Sequence, residues 1–439
     1  MKTLAIIAEY NPFHNGHLYQ LSEAKEITKA DYVIVAMSGN FVQRGEPAII
    51  DKWARTEMAL NAGADLIIEI PFVFSTQDAN GFAFGGIKLL DSLNIVDYLC
   101  FGCENSERNI LFPISDFLTN EPPEFINLLK ENSKKGFEYP RSRSKALCEY
   151  HKIFGINNLK NISSSKLQKI LLSPNNILAF EYIKHLLNLN SDIQPIPIKR
   201  ILADYHEKII NGNISSATSI RNEIFNNLKY SSLLSQNINS KVKSTIPYSA
   251  YQTLTKELKE GRAPISLNSY EQHIIATLRS MPTENISYIQ GVNEGLENRI
   301  KKAALKSTNI DILLKSIKTR RYTLTKIKRI ILHVVMGLLK EDTMVFNNSG
   351  PLYIRLLGFS KKGKILLNLI KKKSSLPIIT KLSAFTKSAY SSDKDISNSS
   401  LRMIHYDILS TDLYSLGYKK ESKRVARTDF TNKIIKKND

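Results

Sequence analysis

The first hundred residues alternate short apolar runs with segments of helical polarity. The apolar runs cover residues 3–8, 32–37, 65–70 and 96–101, and the helical segments cover residues 17–28, 51–62 and 80–93. Continuous apolar runs rich in β-branched residues, separated by helices, are typical of parallel strands that are buried on both faces. The pattern predicts an α/β domain that binds its ligand at the carboxyl ends of the strands.

The rest of the chain is more helical. We predict a polar helical insertion over residues 105–170, a helix over 175–189 and a further strand over 193–200. Amphipathic helices follow near residues 247–260, 268–280, 294–306 and 323–340. The last hundred residues predict a strand over 353–359, a helix over 361–371, a strand over 376–380 and a frayed tail over 433–439. These patterns divide the chain into a catalytic domain (1–230), a basic helical region (231–340) and a small C-terminal α/β region (341–439).

Composition adds a partner class to this picture. The chain has 61 Lys and Arg residues against 41 Asp and Glu residues, a formal net charge of +20. Such an excess is typical of proteins that bind a polyanion, such as RNA, DNA or an anionic membrane surface. Basic residues concentrate at 141–145, 301–302, 320–321, 326–329 and 371–373.

Three cysteines, Cys100, Cys103 and Cys148, are too few for a disulfide framework and fit a reducing compartment. Cys100 and Cys103 have the spacing of a metal or redox pair, but no second pair exists to complete a zinc site. No stretch approaches the roughly 18 apolar residues of a membrane span. We therefore expect a cytoplasmic protein without a membrane segment. The sequence sets no oligomeric state.

The most informative segment is His14-Asn15-Gly16-His17, which follows the first predicted strand and opens a helix. The first turn of a helix offers unpaired N–H groups and the positive end of the dipole, so it stabilises an anion. Gly16 would let a phosphate approach the backbone. The two histidines could instead cap the helix or ligate a metal, but no third and fourth metal ligands are evident. We favour a phosphate site and predict no metal.

Two further segments could complete such a site. The loop at residues 38–47 follows the second strand, and Arg44, Lys52 and Arg55 in or after it could pair with phosphates or lie on a solvated helix face. A hydroxyl-rich segment at 214–221 opens another helix, which Ser215 or Ser216 can cap, with Thr218 and Arg221 in its first turn. A second helix start with a cation could clamp a triphosphate and stabilise the leaving pyrophosphate.

These residues resemble known signatures. The segments at 14–17 and 214–221 are similar to the HxGH and ISSTxxR motifs of the nucleotidyltransferase superfamily. More narrowly, the chain resembles the bacterial tRNA(Met) cytidine acetate ligase family. That resemblance rests on AEYNPFHNGHL (8–18), MSGNFVQRGEPA (37–48), FGCE (101–104), SPNNIL (173–178) and YIRLLG (353–358). It implies a Rossmann-like parallel sheet of the HxGH nucleotidyltransferase type, followed by the helical and C-terminal regions.

The resemblance also implies a reaction. ATP and acetate would give acetyl-adenylate and pyrophosphate, and the wobble cytidine of elongator tRNA(Met) would then accept the acetyl group as N4-acetylcytidine. It leaves Mg²⁺ open as a companion of ATP. The implied catalytic residues are His14, His17 and Arg221. The implied ATP-binding residues are Ile7, Ala8, Glu9, Tyr10, Asn11, Pro12, Phe13, His14, Asn15, Gly16, His17, Leu18, Tyr19, Gln20, Gly102, Asn175, Arg200 and Ile201. The helix start at 214–221 adds Ser216 and Thr218 to this predicted site.

Two alternatives stay open at this point. One is a nucleotidyltransferase that adenylylates a phosphorylated small molecule, although such an enzyme needs no large basic surface. The other is an RNA-binding protein that kept the fold and lost catalysis.

Overall fold

The structure is a computed structural model that describes residues 1–159, 162–201, 210, 212–230, 240–293, 295–391 and 398–437. Its strands are β1 Thr3–Ala8, β2 Tyr32–Ser38, β3 Phe41–Val42, β4 Glu46–Pro47, β5 Leu66–Ile70, β6 Tyr98–Cys103, β7 Gln194–Lys199, β8 Ile354–Ser360, β9 Ile378–Ile379 and β10 Ile435–Lys437. Apart from a small β3–β4 hairpin, they form one sheet in the order β10-β8-β5-β2-β1-β6-β7, with β9 also paired to β8.

The central strands are parallel and buried, as predicted. Strands β1, β2, β5, β6 and β7 run in one direction. Side chains on both faces of β2 and β5 are enclosed, because helices cover both sides of the sheet. The chain passes from β1 to β2 and β5 on one side and returns to β6 on the other, so the strand order reverses between β1 and β6. Ligand sites of open α/β sheets lie outside such a switch point.

Helices supply the remaining layers. Those up to the end of the predicted catalytic domain are α1 Asn15–Thr28, α2 Lys52–Asn61, α3 Phe72–Ser75, α4 Ala79–Asp91, α5 Arg108–Phe117, α6 Pro123–Lys134, α7 Tyr139–Phe154, α8 Ser164–Leu172, α9 Pro174–Asn188 and α10 Ala217–Tyr230. Those that follow are α11 Ser240–Thr245, α12 Tyr248–Lys259, α13 Glu271–Ser280, α14 Thr283–Ser287, α15 Leu296–Lys306, α16 Ile310–Ile317, α17 Leu324–Met336, α18 Lys340–Ser349, α19 Lys361–Lys373, α20 Leu382–Ser391, α21 Asn398–Ser415 and α22 Thr428–Thr431, with short 3₁₀ helices at Leu267–Tyr270 and Glu421–Lys423.

The predicted elements agree with these bounds to within a few residues. Within the predicted elements, residues 160–161, 294 and 438–439 lie outside the described residues. Within the described ranges, no helix combines the length and the apolar character needed to cross a bilayer.

The C-terminal region corrects one expectation. The tail was expected to fray, but Ile435–Lys437 is a strand that pairs in parallel with β8. Strand β8 lies antiparallel to β5, so the C-terminal strands extend the first sheet rather than forming one of their own. The functional division at residues 230 and 340 stays a prediction, but it does not separate two sheets.

A buried ion network joins residues that are far apart in the sequence. Lys52 on α2 lies 3.0 Å from Glu69 on β5 and 3.0 Å from Asp429 on α22. Arg355 on β8 lies 3.3 Å from the same glutamate and 3.0 Å from the same aspartate. All four side chains are almost fully enclosed. Charges at such depth are tolerated because each has a partner of opposite sign.

Candidate active site

Two histidines build the start of α1. His14 is the N-cap residue, and its Nδ1 accepts the Gly16 N–H at 3.1 Å. His17, three residues later, accepts the His14 N–H through its own Nδ1 at 3.3 Å. This reciprocal arrangement is a capping box in which imidazoles replace the usual hydroxyl and carboxylate. Because each Nδ1 accepts a hydrogen bond, each neutral ring carries its proton on Nε2.

Burial keeps both rings neutral. Burial, reinforced by the positive charges of Arg200 and Arg221, lowers the pKa of His14 to about 3. Burial also lowers the pKa of His17 well below its usual value, with smaller contributions from His14 and Arg200. The two rings stack with centroids 3.7 Å apart, and Tyr10 and Phe13 pack against His17. Neutral rings held this way present two N–H donors without needing a proton from solution.

Gly16 makes room for the His14 ring. A Cβ atom at this position would lie 2.9 Å from Cε1 and 3.1 Å from Nδ1 of His14. The predicted approach of a phosphate to the Gly16 backbone stays a prediction.

The start of α10 docks beside the start of α1. Ser216 caps α10, because its Oγ accepts the Ser219 N–H at 3.1 Å. Arg221 donates from Nη1 to the Asn11 carbonyl at 2.8 Å and from Nη2 to Thr218 Oγ1 at 3.3 Å. Asn15 donates to the carbonyls of Asn213 and Ser244 at 2.8 and 2.9 Å, which fixes the two helix starts together. The two clamps predicted from sequence thus meet in space.

A carboxylate network positions the far wall. Glu104, just after β6, accepts hydrogen bonds from the backbone and side chain of Asn175 and from the backbone of Asn176. The Asn176 side chain in turn accepts the backbone N–H groups of Glu104 and Asn105 at 3.0 Å each. This exchange ties the start of α9 to the end of β6, beside Gly102.

The loop at 38–47 contributes only part of what was expected. Arg44 lines the site and donates to Thr218 Oγ1 at 3.3 Å. Arg55 is fully buried and donates to the carbonyls of Glu9, Ser38, Gly39 and Ile50, so it ties the ends of β1 and β2 together. Lys52 belongs to the buried ion network. Neither of these two side chains lines the site or reaches solvent, so both predicted alternatives, a phosphate contact and a solvated helix face, were wrong for them.

These elements surround a cavity of about 800 Å³ at the β1–β6 switch point, a size that suits a nucleotide. The predicted residues that line it are Ile7, Ala8, Glu9, His14, His17, Gln20, Gly102, Asn175, Arg200, Ser216, Thr218 and Arg221. Gly16, Tyr19 and Ile201 line a small adjoining recess.

Six predicted residues line neither cavity. They are Tyr10, Asn11, Pro12, Phe13, Asn15 and Leu18. Tyr10 and Phe13 are buried beneath His17, and Asn11 accepts the Ile49 N–H at 2.7 Å. For at least these three residues the structure indicates a supporting role.

Sequence reasoning missed two walls of the cavity: one comes from the start of α4 and the segment at 118–143, and the other comes from the basic helical region. Arg329 on α17 lines the cavity and donates to the Gln43 carbonyl at 3.1 Å. Gly45 has a φ of +72°, and a Cβ atom at this position would lie 2.3 Å from the backbone nitrogen of Arg329, so the close contact with α17 requires a glycine. Glu46 pairs with Lys328 and lies 3.9 Å from Arg221. The sequence signal for this wall is the basic cluster at 326–329, which the charge balance associates with a polyanion and not with the nucleotide site.

Comparisons with known proteins place the chain in a family. Residues 1–429 match the family model described as HIGH Nucleotidyl Transferase. The tRNA(Met) cytidine acetate ligase of Acetivibrio thermocellus is 43% identical over 99% of this chain and its own full length, and that of Halothermothrix orenii is 42% identical at the same coverage. The chain belongs to the tRNA(Met) cytidine acetate ligase family.

Solved structures of this ligase family have the same fold. Thermotoga maritima TmcAL bound with alpha-thio ATP aligns with a TM-score of 0.89 at 36% identity, and its apo form aligns with a TM-score of 0.91 at 37% identity. Each comparison covers 99% of both chains. The predicted fold class and family are thereby confirmed.

The close approach of Gly16 to the His14 ring gives a first prediction for a ligase of this family. Gly16→Ala should move the His14 ring and lower acetate-dependent ATP–pyrophosphate exchange by about tenfold, since sub-ångström misplacement of a positioning group is costly. Thermal unfolding should change little, because alanine is favoured over glycine in a helix. Steady-state exchange assays alongside a melting curve check both points. Full exchange activity in the folded variant would show that the ring position does not matter.

A second prediction concerns pH. A histidine that is neutral when folded, with its pKa lowered to about 3 as at His14, takes up a proton on unfolding below its unfolded pKa of about 6.5. The contribution of this histidine to stability is therefore fully present above about pH 6.5, and it is lost as the pH falls toward the folded-state pKa of about 3. Moving from pH 7.5 to 5.5 should reduce the free energy of unfolding by about 1 kcal/mol for this residue. Urea titrations should show a shallower pH slope in His14→Asn; an equal slope would contradict the assignment.

Proposed function

We propose that this protein is an ATP-dependent ligase that activates acetate as acetyl-adenylate and transfers the acetyl group to N4 of the wobble cytidine in elongator tRNA(Met). The observation that carries the proposal is the stacked pair of imidazoles at the start of α1, each accepting a backbone N–H through Nδ1 and lining the same cavity as Arg200 and Arg221. The family names supply the tRNA substrate. That acetate is the acid which this chain activates, and that it acts in the cytoplasm, are parts of the proposal.

The first step needs positioning and charge more than a base. An acetate oxygen attacks the α-phosphorus of ATP, the bond to the bridging oxygen of the β-phosphate breaks, and pyrophosphate leaves. Acetate is already ionised at neutral pH, so no protein group has to remove a proton. Two anions must instead be held in line. His14 and His17 donate to phosphate oxygens, while Arg221 and the start of α10 stabilise the pyrophosphate.

The second step transfers the acetyl group from AMP to the cytidine. The N4 amine attacks the acetyl carbonyl, the bond from that carbon to the AMP oxygen breaks, and one N4 proton is lost to solvent or to a cavity base. AMP leaves as a stable anion. Excluding water from the cavity matters here because acetyl-adenylate hydrolyses readily.

Mg²⁺ would enter with the nucleotide. Among the residues that the structure describes, no cluster of three or more His, Cys, Asp or Glu side chains is arranged to hold a metal ion. Oxygens of the triphosphate would therefore supply most of its ligands, as is usual for this ion. When bound, Mg²⁺ would neutralise charge on the leaving pyrophosphate.

The basic surface supports RNA rather than a small acceptor. We propose that residues 1–230 perform activation and that residues 231–439 provide much of the tRNA contact. Phosphate contacts of this kind make affinity depend strongly on salt. A nucleotidyltransferase for a small phosphorylated acceptor would gain nothing from a net charge of +20.

Labelled acetate tests the proposal. Purified protein is incubated with ATP, labelled acetate and bulk tRNA, and nucleosides are analysed by mass spectrometry. We expect label in N4-acetylcytidine from tRNA(Met), together with AMP and pyrophosphate. Adenylylation of small phosphorylated compounds without labelled tRNA would favour the nucleotidyltransferase alternative. tRNA binding without either product would indicate a binding protein.

A further inference from the structure

A second cavity opens beside the first. It has a volume of about 490 Å³ and lies between the start of α7 and the region from residue 290 to α17. The two cavities share one wall, formed by Asp78, Tyr139, Pro140, Thr323 and Arg329. A ligand in the second cavity could therefore reach into the first without crossing the protein core.

Two basic segments that are far apart in sequence meet at this cavity. Phe137 lies under the guanidinium of Arg141 at 4.9 Å and the ammonium of Lys145 at 4.1 Å. Arg320, from the other side of the cleft, lies 4.6 Å from the same ring centroid. Cations held over an aromatic ring keep their charge and lose some of their freedom. The rim is therefore positively charged and partly preordered.

The cavity lining is also biased toward positive charge. Arg321, Lys326 and Arg329 line it, against the carboxylates of Asp78 and Glu138. Asp78 is engaged as the N-cap of α4, where it accepts the Gly81 N–H at 3.1 Å. His333 also lines the cavity, but its burial lowers its pKa to about 4, so it is neutral. A flexible polyanion matches this distribution.

Of the three Phe and Tyr rings that line the second cavity, one is exposed enough to stack a base. The cations described above already surround Phe137, and Tyr322 is 8% exposed with its hydroxyl bonded to the Asn293 carbonyl. Tyr139 is 58% exposed and lines both cavities. Its ring lies 5.7 Å from the Arg143 guanidinium, which Glu181 holds in a buried ion pair.

We propose that Tyr139 is the platform on which the acceptor cytosine stacks, and that the second cavity and its basic rim hold the neighbouring nucleotides of the anticodon loop. Single-stranded RNA is recognised by unstacked bases on aromatic rings and by cations along the backbone. Stacking at the shared wall would place the exocyclic amine toward the cavity that holds the adenylate. This inference rests on the proposed function and names the acceptor subsite.

The test separates the two reaction steps. Acetate-dependent ATP–pyrophosphate exchange without RNA reports activation, and single-turnover transfer to tRNA(Met) reports the second step. Tyr139→Ala should slow transfer by about tenfold or more, while exchange falls far less, because a stacked base is worth that much. Tyr139→Phe keeps the ring and should restore transfer. Tyr248→Ala is a matched control, since Tyr248 also opens a helix and is 67% exposed but lines neither cavity.

Two further measurements protect the test against a misfolded variant. Arg320→Ala, on the rim alone, should raise the KM for tRNA several-fold and reduce its salt dependence. A stem-loop RNA with a fluorescent cytidine analogue at the wobble position should be quenched on binding to the wild type and to Tyr139→Phe, but not to Tyr139→Ala.

The outcomes are distinct. Wild-type transfer speed in Tyr139→Ala, or an equal loss of both steps in a folded protein, would overturn the inference and leave the proposed function intact. Unchanged tRNA kinetics in Arg320→Ala would remove the rim from the subsite. A wild-type protein that supports neither exchange nor transfer would instead refute the proposed function itself.

Discussion

Replacing His17 by alanine is expected to lower acetate-dependent ATP–pyrophosphate exchange by about 10²–10³-fold, the usual loss for one donor that stabilises transition-state charge. Two effects combine at this position. The variant loses the Nε2 donor, and the His14 N–H loses its Nδ1 acceptor. The exchange assay measures activation directly and does not depend on tRNA.

His14→Ala should behave similarly, and the double variant should be little worse than either single one, because the stacked rings act as a unit. His273→Ala is the matched control, since His273 is exposed on α13 and lies outside both cavities. If His17→Ala keeps exchange within about threefold of wild type, the imidazole pair is a structural cap and not part of catalysis.

The second large effect concerns stability. Asp429→Ala should reduce the free energy of unfolding by about 3–5 kcal/mol, because Glu69 is then the only described carboxylate within ion-pair distance of the buried Lys52 and Arg355. Burial alone would raise the pKa of Asp429, but its two cationic neighbours lower it, so the group is a carboxylate at neutral pH. Urea unfolding monitored by circular dichroism gives the measurement.

A control comes from the same part of the chain. Glu421 is 87% exposed on its side chain and lies 3.9 Å from Arg424. Glu421→Ala should change stability by less than about 0.5 kcal/mol, as is normal for exposed pairs. A similar small change in Asp429→Ala would mean that the buried network relaxes or admits water.

The sequence predicts elements whose periodicity is strong. Continuous apolar runs predicted strands β1, β2, β5 and β6. The capping residues His14 and Ser216 indicated where two helices begin. Their convergence follows from a general rule, since carboxyl ends of parallel strands share one edge. The family resemblance added the reaction, which periodicity alone does not indicate.

The errors share a physical cause. Lys52 and Arg55 are cations on α2, the helix that follows the loop at 38–47. The sequence does not indicate whether such a cation contacts a ligand or, as here, buried carbonyl and carboxylate groups. The same limit hid Arg329, whose position depends on how α17 packs onto the loop at Gly45. The strand at Ile435–Lys437 is too short and too basic to show the alternation that marks a strand.

The buried ion network of Lys52, Glu69, Arg355 and Asp429 has a consequence for biosynthesis. Lys52 and Glu69 are made long before Arg355 and Asp429, and they balance each other as an ion pair. Arg355 adds a second positive charge, which Asp429 balances only after a further stretch of chain has been made. Chains that end between these two residues should therefore carry a mismatched positive charge in the interior and be preferred substrates for chaperones and proteases, so quality control can recognise this class of unfinished copies.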